Sequence, residues 1–279
     1  MTLLRHIEAC NRYDPADFRS FTIAGQPVGR VRRETAEHLI AHCLAKPAEN
    51  GIGIAGGGFM SVGGQLARIV DSLSQARLMT APRREMTPVL RKWGLPPIAE
   101  IDRAGLPGLG LPAFGVHVNG FVRCRDGIHL WVGHRARNRA VAPGKLDHLV
   151  AGGIPSGLTA AETVVKEADE EAGLSPELAR QARPVGVITY RLALPEGLRN
   201  DTLFVYDLEV PQGVVPASND GEVERFELWS IERLIEALRE TDDFKFNVNL
   251  VLIDFLIRHG ILDPDREPDY AALVGGLRR

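Results

Sequence analysis

Alternation and helical periodicity divide the chain into two differently patterned parts. "FTIAGQPVGRVRR" reads as a strand, a turn at Gly25-Gln26-Pro27 and a second strand. "ETAEHLIAHCLA" and "GQLARIVDSLSQARL" carry apolar residues at helical intervals. "RAGLPGLGLPAFG", Arg103 to Gly115, is dense in Gly and Pro and poor in charge, which predicts neither helix nor sheet and marks a boundary. Beyond it, "GVHVNGFVRC" and "IHLWVGHR" flank an Asp-Gly step that favours a hairpin. "LFVYDLEV" alternates, "VERFELWSI" does so more weakly, and "NLVLIDFLIRHG" is apolar on most sides, predicting a buried helix that stops at Gly260. The expectation is an α/β protein with a smaller α/β unit at residues 1–112, a larger one at 113–265 and a tail at 266–279.

Composition narrows the class. A hydrophobic share of 44% with 25% charged residues suits a cored globular protein. A net charge of −3 offers no field for nucleic acid or an anionic membrane. No apolar run approaches the ~18 residues of a membrane span, and "MTLLRHIEACNRYD" is too interrupted for a signal peptide. Cys10, Cys43 and Cys124 are odd in number and lack metal-type spacing, so a reducing cytoplasmic setting is expected.

The chemistry concentrates in "AGGIPSGLTAAETVVKEADEEAGL". Thr159 and Glu162 form the pattern of a capping box, and Gly173 supplies the helix end. At about 100° per residue, Ala161, Val164, Val165, Ala168 and Ala172 share one apolar face, and Glu167, Glu170 and Glu171 cluster at its edge. Such carboxylates repel one another by a few tenths of a kcal/mol per pair, and two lie near the negative end of the helix dipole. A bound Mg²⁺ would relieve that repulsion. A solvated acidic helix end balanced by Lys166 explains the cluster equally well.

Read from Gly152, this segment resembles the signature of the Nudix hydrolases, G-x5-E-x7-R-E-U-x-E-E-x-G-U, with U a bulky aliphatic. Glu167, Glu170, Glu171, Gly173 and Leu174 fall in register. The resemblance implies a mixed sheet between helices and a metal-dependent diphosphate hydrolase. In it Glu167 and Glu171 ligate Mg²⁺, with Mn²⁺ as a substitute, and Glu170 is a third ligand or base. Leu158, Lys166 and Ala168 depart from the signature, the first two removing a structural ion pair. "GVHVNGFVR", "PGKLDHLVAGG" and "PASNDGEVERFELW" further resemble a branch that includes the Nudix domain fused to thiamine diphosphokinase in fungi. That resemblance implies cleavage of thiamine diphosphate or its oxidised analogues to the monophosphate. A binding-only Nudix module, or an enzyme acting on another nucleoside diphosphate derivative, is the alternative.

Other residues are weighed against this expectation. Arg135, Arg137, Arg139 and Lys145 could grip phosphate, with Lys145 preferred because it lies nearest the Gly152-Gly153 turn. Glu222, after Asp220-Gly221, is a candidate base as the resemblance implies, or a plain turn acid. Tyr190, Phe204, Tyr206 and Trp229 read as sheet core, and Asn247 as a helix cap. His117, His129, His134 and His148 lie on separate elements and suggest no zinc site. "GIGIAGG" matches a dinucleotide fingerprint at Gly51, Gly53 and Gly56, but the preceding residues read as a helix end and a loop, so a flexible loop is expected. The partner is thus a small-molecule diphosphate. The N-terminal unit either selects substrate or holds a homodimer together.

Overall fold

The computed structural model describes residues 1–139 and 141–278. After α1 (Leu4–Cys10), the N-terminal part folds as β1 (Phe18–Ile23), β2 (Gln26–Arg32), α2 (Arg33–Ala41), β3 (Lys46–Ala48), β4 (Gly51–Ile54) and α3 (Phe59–Gln75). Its sheet has the order β2-β1-β4-β3. The hairpin turn is Ala24-Gly25, both left-handed, one residue earlier than expected, because a two-residue loop of this hand needs φ > 0 at both central positions. Phe21, Ile52, Leu66 and Ile69 form the core beneath this sheet.

Gly51–Ile54 is a strand parallel to β1, which corrects the expected flexible loop. Ile52 and Ile54 are buried, and burial on a sheet outweighs the glycine content. Two of the fingerprint glycines therefore lie inside the strand rather than in a turn.

A small hairpin, β5 (Met86–Val89) and β6 (Ala99–Asp102), leads into α4 (Gly105–Leu109). The Gly/Pro-rich segment is thus not devoid of structure. Leu106 and Leu109 are buried in the N-terminal core, and the segment's last residues already belong to β7 (Pro112–Cys124). Tertiary burial overrides local propensity here.

The second sheet adds β8 (Gly127–Arg135), β9 (Leu146–Asp147), β10 (Val150–Gly153), β11 (Arg183–Leu194), β12 (Gly197–Glu209) and β13 (Val223–Ser230). Its main path is β11-β12-β7-β8-β13, with β12 parallel to β7 and the other pairs antiparallel. The outer part of β7 pairs with β8 across Cys124↔Gly127, while its inner part pairs with β10 across His117↔Ala151. Gly152 and Gly153 therefore occupy a strand, not a turn.

Helices cover both faces of this mixed sheet. α5 (Ala160–Ala172), followed by the short α6 (Pro176–Ala179), buries Val164, Ala168 and Ala172 against Val116 and Val118. On the other face, after α7 (Ile231–Glu240), α8 (Val248–Arg258) packs Phe255 against Phe121 with ring centroids 5.9 Å apart. Leu3, Ile7 and Cys10 of the first segment, and Leu273 and Leu277 around α9 (Tyr270–Gly276), join this second core. Within the expected tail, Leu273, Gly276 and Leu277 are buried. Among the described residues no helix is long and apolar enough to cross a membrane.

Candidate active site

The local signals of α5 appear as side-chain geometry. Thr159 Oγ1 accepts from the Glu162 amide at 3.2 Å, and Glu162 returns a carboxylate to the Thr159 amide at 2.9 Å. Gly173 closes the helix at φ 60°. Within the apolar face, Ala161 is exposed and Thr163 is buried instead, its hydroxyl donating to the Thr159 carbonyl at 2.8 Å.

The three glutamates differ in environment. Glu171 is 6% exposed and accepts from the Ala151 amide at 2.7 Å. Burial pushes its carboxyl well above the usual range, against the help of that hydrogen bond, and the nearby charges of Asp147 and Glu167 push it further. Glu167 lies against Gly152, where any Cβ would overlap its carboxyl carbon. Burial raises its pKa too, opposed by Lys166 and Arg103. Glu170 is more open, and Lys166 bridges it at 2.5 Å and Glu167 at 3.2 Å. These oxygen donors, with negative charge that burial disfavours, suit a hard divalent cation.

Behind Glu171 is a buried polar network. Asp147 accepts from Arg135 at 2.7 Å, His148 Nδ1 at 3.0 Å and Lys245 at 3.4 Å. Burial favours its neutral form, yet Lys245, His148 and Arg135 outweigh that and hold its pKa well below the ordinary value. Lys245 is itself lowered by burial, which the charge of Asp147 opposes. His148 Nε2 meets His117 Nδ1 at 2.7 Å, and burial drives the His117 pKa well down.

Several expectations change in consequence. Lys145 does not face the glutamates. Its ammonium donates to the Asp242 carbonyl at 2.7 Å, beside a depression lined by His134, Trp229 and Arg233. Arg135 is buried with its guanidinium committed to Asp147 and to the carbonyls of Val141 and Ala142, so it has no free face for phosphate. Gly153 is crossed by Arg103, whose Cζ lies 2.6 Å from where a Cβ would stand. Glu222 forms an ion pair with Arg139 at 2.5 Å.

The histidines are not all scattered. His117 and His148 touch, and His129 comes together with Cys124 and Asp126 at the β7–β8 hairpin, their ligand atoms within 4.8 Å of one another. Tyr190 is fully buried with its hydroxyl on Asp201. Phe204 lies on the α5 face, 4.5 Å from the Trp93 ring. Asn247 precedes α8 without a side-chain cap and donates to the Tyr190 hydroxyl at 3.3 Å.

Asp147 and Lys245 carried no expectation from sequence, and His148 only that it suggested no zinc site. A signal existed: "LDHLV" and "FKF" place charged residues between large apolar ones, which forces either burial with partners or a broken pattern.

The chain is similar to known proteins over most of its length. Residues 113–249 match the NUDIX domain family model. The chain is 42% identical over 214 residues to Nudix hydrolase 24, chloroplastic, of Arabidopsis thaliana, covering 76% of this chain and 58% of that protein. It is 35% identical over 274 residues to Nudix hydrolase 20, chloroplastic, of the same plant, covering 93% of this chain and 73% of the relative. A solved protein from Deinococcus radiodurans is 21% identical over 62% of this chain and 98% of its own, with a TM-score of 0.47.

Proposed function

We propose that this chain, which belongs to the Nudix hydrolase family, cleaves a small-molecule diphosphate by attack of water on phosphorus. The observation that carries this reading is the placing together of buried Glu171 and half-buried Glu167, both with their charge disfavoured, beside the small residues of β10. These two would hold Mg²⁺, or Mn²⁺ in its place, with Glu170 completing the oxygen set. The ion would supply neutralisation of the charge that develops on the phosphate oxygens.

The protein's own groups account for the rest. The Ala151 amide orients Glu171, and the absence of side chains at Gly152 and Gly153 leaves Glu167 and Arg103 room to lie against the strand. Glu222 takes the proton of the attacking water on a carboxylate oxygen, and Arg139 holds that carboxylate in place. A phosphorus–oxygen bond of the bridge breaks as the new one forms, and the proton leaves with the departing phosphate.

Thiamine diphosphate and its oxidised analogues are our candidate substrates, supported by the sequence resemblance of residues 116–260 to the fungal fusion branch. The cytoplasm is the proposed compartment, supported by three unpaired cysteines. Lys166 favours a second reading, a binding module, because its ammonium bridges Glu167 and Glu170 and offsets their charge.

Phosphate release from a diphosphate panel, with and without Mg²⁺, separates these readings. The panel holds thiamine diphosphate, its oxo and oxy analogues, ADP-ribose, NADH and nucleoside triphosphates. We expect Mg²⁺-dependent cleavage of the thiamine compounds. Cleavage of another member keeps the hydrolase and discards thiamine, and silence from folded protein leaves the binding module.

A further inference from the structure

The turn that joins β7 to β8 gathers three chemically different ligands at one point. Cys124 pairs with Gly127 and Val122 with His129, so Arg125 and Asp126 form the turn. Cross-strand partners share a face, and alternate residues of a strand return to it. Val122 and Cys124 therefore face the α5 side, where both pack with Val116 and Val118, and His129 joins them from β8. The residues between point the other way: Phe121 belongs to the α8-side core, and Arg123 lies over its ring at 5.4 Å. Asp126, at the tip, turns back toward the imidazole, its Oδ2 3.6 Å from His129 Nε2.

One ligand atom from each of Cys124, Asp126 and His129 lies within 4.8 Å of the other two. Zn²⁺ holds sulfur at about 2.3 Å and nitrogen or oxygen at about 2.0–2.2 Å, so tetrahedral ligands stand roughly 3.5 Å apart. The His129–Asp126 pair is already near that separation, and the 4.8 Å limit leaves the thiol about 1.3 Å at most to close. The three groups are also available. His129 Nδ1 is buried without a hydrogen-bond partner among the described residues, which leaves Nε2 to face the cluster. The Asp126 side chain is 75% exposed, and Cys124 is half-buried and in no disulfide. Of the neighbouring cations, Arg123 is engaged with Glu209 at 3.2 Å and Arg233 with Glu227 at 3.1 Å. Glu232, two residues beyond the Ser230 that pairs with His129, adds negative charge beside the cluster.

We propose that Cys124, Asp126 and His129 form a metal site for a thiolate-binding divalent ion of the Zn²⁺ class, with water in the fourth position. A set of one sulfur, one nitrogen and one oxygen selects such an ion, whereas Mg²⁺ takes oxygen ligands. Binding forms a bond between the Cys124 sulfur and the ion, and the thiol proton passes to solvent. The site is separate from the glutamates of α5. Cys124 follows His117, the residue of β7 opposite Ala151, by a run of strand about 23 Å long. The proposal therefore stands whether or not the chain hydrolyses a diphosphate. It gives the β7–β8 turn a cross-link that holds its tip to the sheet.

The test is titration of the reduced protein with Co²⁺, which takes the ligands of Zn²⁺ and gives a thiolate-to-metal charge-transfer band in the near ultraviolet. We expect a single saturating band that excess Mg²⁺ leaves in place and Zn²⁺ removes. Cys124→Ser should abolish it, while Cys43→Ser and Glu171→Gln should keep it. Asp126→Asn retains a favourable turn residue before Gly127. That variant and His129→Gln should each weaken Co²⁺ binding, read from the band, at least ~10-fold, the least that losing even a hydrogen-bond partner of a metal ligand costs. No band in the unaltered protein, or a band that persists in Cys124→Ser, would overturn the proposal. So would loss of the band in Cys43→Ser or in Glu171→Gln, which would place the ion elsewhere. Unchanged Co²⁺ affinity in both Asp126→Asn and His129→Gln would overturn it as well, leaving a cysteine that binds metal alone.

Discussion

The carboxylate of Glu171 accepts a 2.7 Å hydrogen bond from the backbone amide of Ala151, joining the last turn of α5 to the strand that runs beside His117. That bond orients a charge which burial otherwise opposes. The helix and the strand are thereby locked in register at the point where the proposed chemistry occurs.

Glu171→Gln retains an oxygen acceptor for Ala151 and removes the charge. Turnover should fall at least ~100-fold if this carboxylate holds the catalytic ion. The thermal midpoint without metal should be no lower than that of the unaltered protein, because a buried, partly repelled charge has been taken away. Differential scanning fluorimetry should show Mg²⁺ raising the midpoint of the unaltered protein and not that of the variant. Near-normal turnover would remove Glu171 from the mechanism.

Gly152→Ala tests whether β10 must be bare at this position. The new methyl would overlap the Glu167 carboxyl carbon, so either the glutamate or the strand must move. Overpacking of this kind costs about 1–3 kcal/mol. We expect a stability loss in that range by urea denaturation, and a larger proportional loss of turnover because the displaced group is a proposed ligand. A variant with unaltered kinetics would show that Glu167 has freedom to swing aside without consequence.

Cys10 supplies a pH dependence remote from the proposed metal. Burial, together with the charge of Asp201, pushes its thiol up to about 12 from 9.0. A raised folded pKa means that the folded state holds the proton more tightly. The contribution is therefore fully present below pH 9 and is lost as pH rises toward 12, with a slope of up to about 1.4 kcal/mol per pH unit. Urea midpoints measured at pH 8, 9.5 and 10.5 should fall more steeply for the unaltered protein than for Cys10→Ala. Parallel slopes would show that other groups govern alkaline stability. A thiol reagent at pH 8 should label exposed Cys43 at once and Cys10 only on unfolding.

The elements legible in advance are those whose causes are local. The capping box of Thr159 and Glu162 and the end at Gly173 involve residues three apart or adjacent to the helix, so spacing alone reveals them. The hairpin at Asp126-Gly127 and the apolar α8 follow from turn chemistry and periodicity in the same way. The clustering of Glu167, Glu170 and Glu171 is helical geometry. The strand at Gly51–Ile54 and the helix at Gly105–Leu109 escaped because their glycines and prolines signal loops locally, and only burial against neighbouring elements overrides that signal.

By itself, then, the sequence determined the glutamate helix, its caps, the mixed α/β class and the family resemblance. Tertiary structure alone decided which charges are free to act. Lys145, near Gly152 in the chain, turns to Asp242, while Lys245 reaches Asp147 across 98 residues. Arg135 is consumed by Asp147, and His117 meets His148. The reason is physical: a side chain's availability depends on the partners that reach it, and sheet register and helix packing choose those partners over separations that no local spacing encodes.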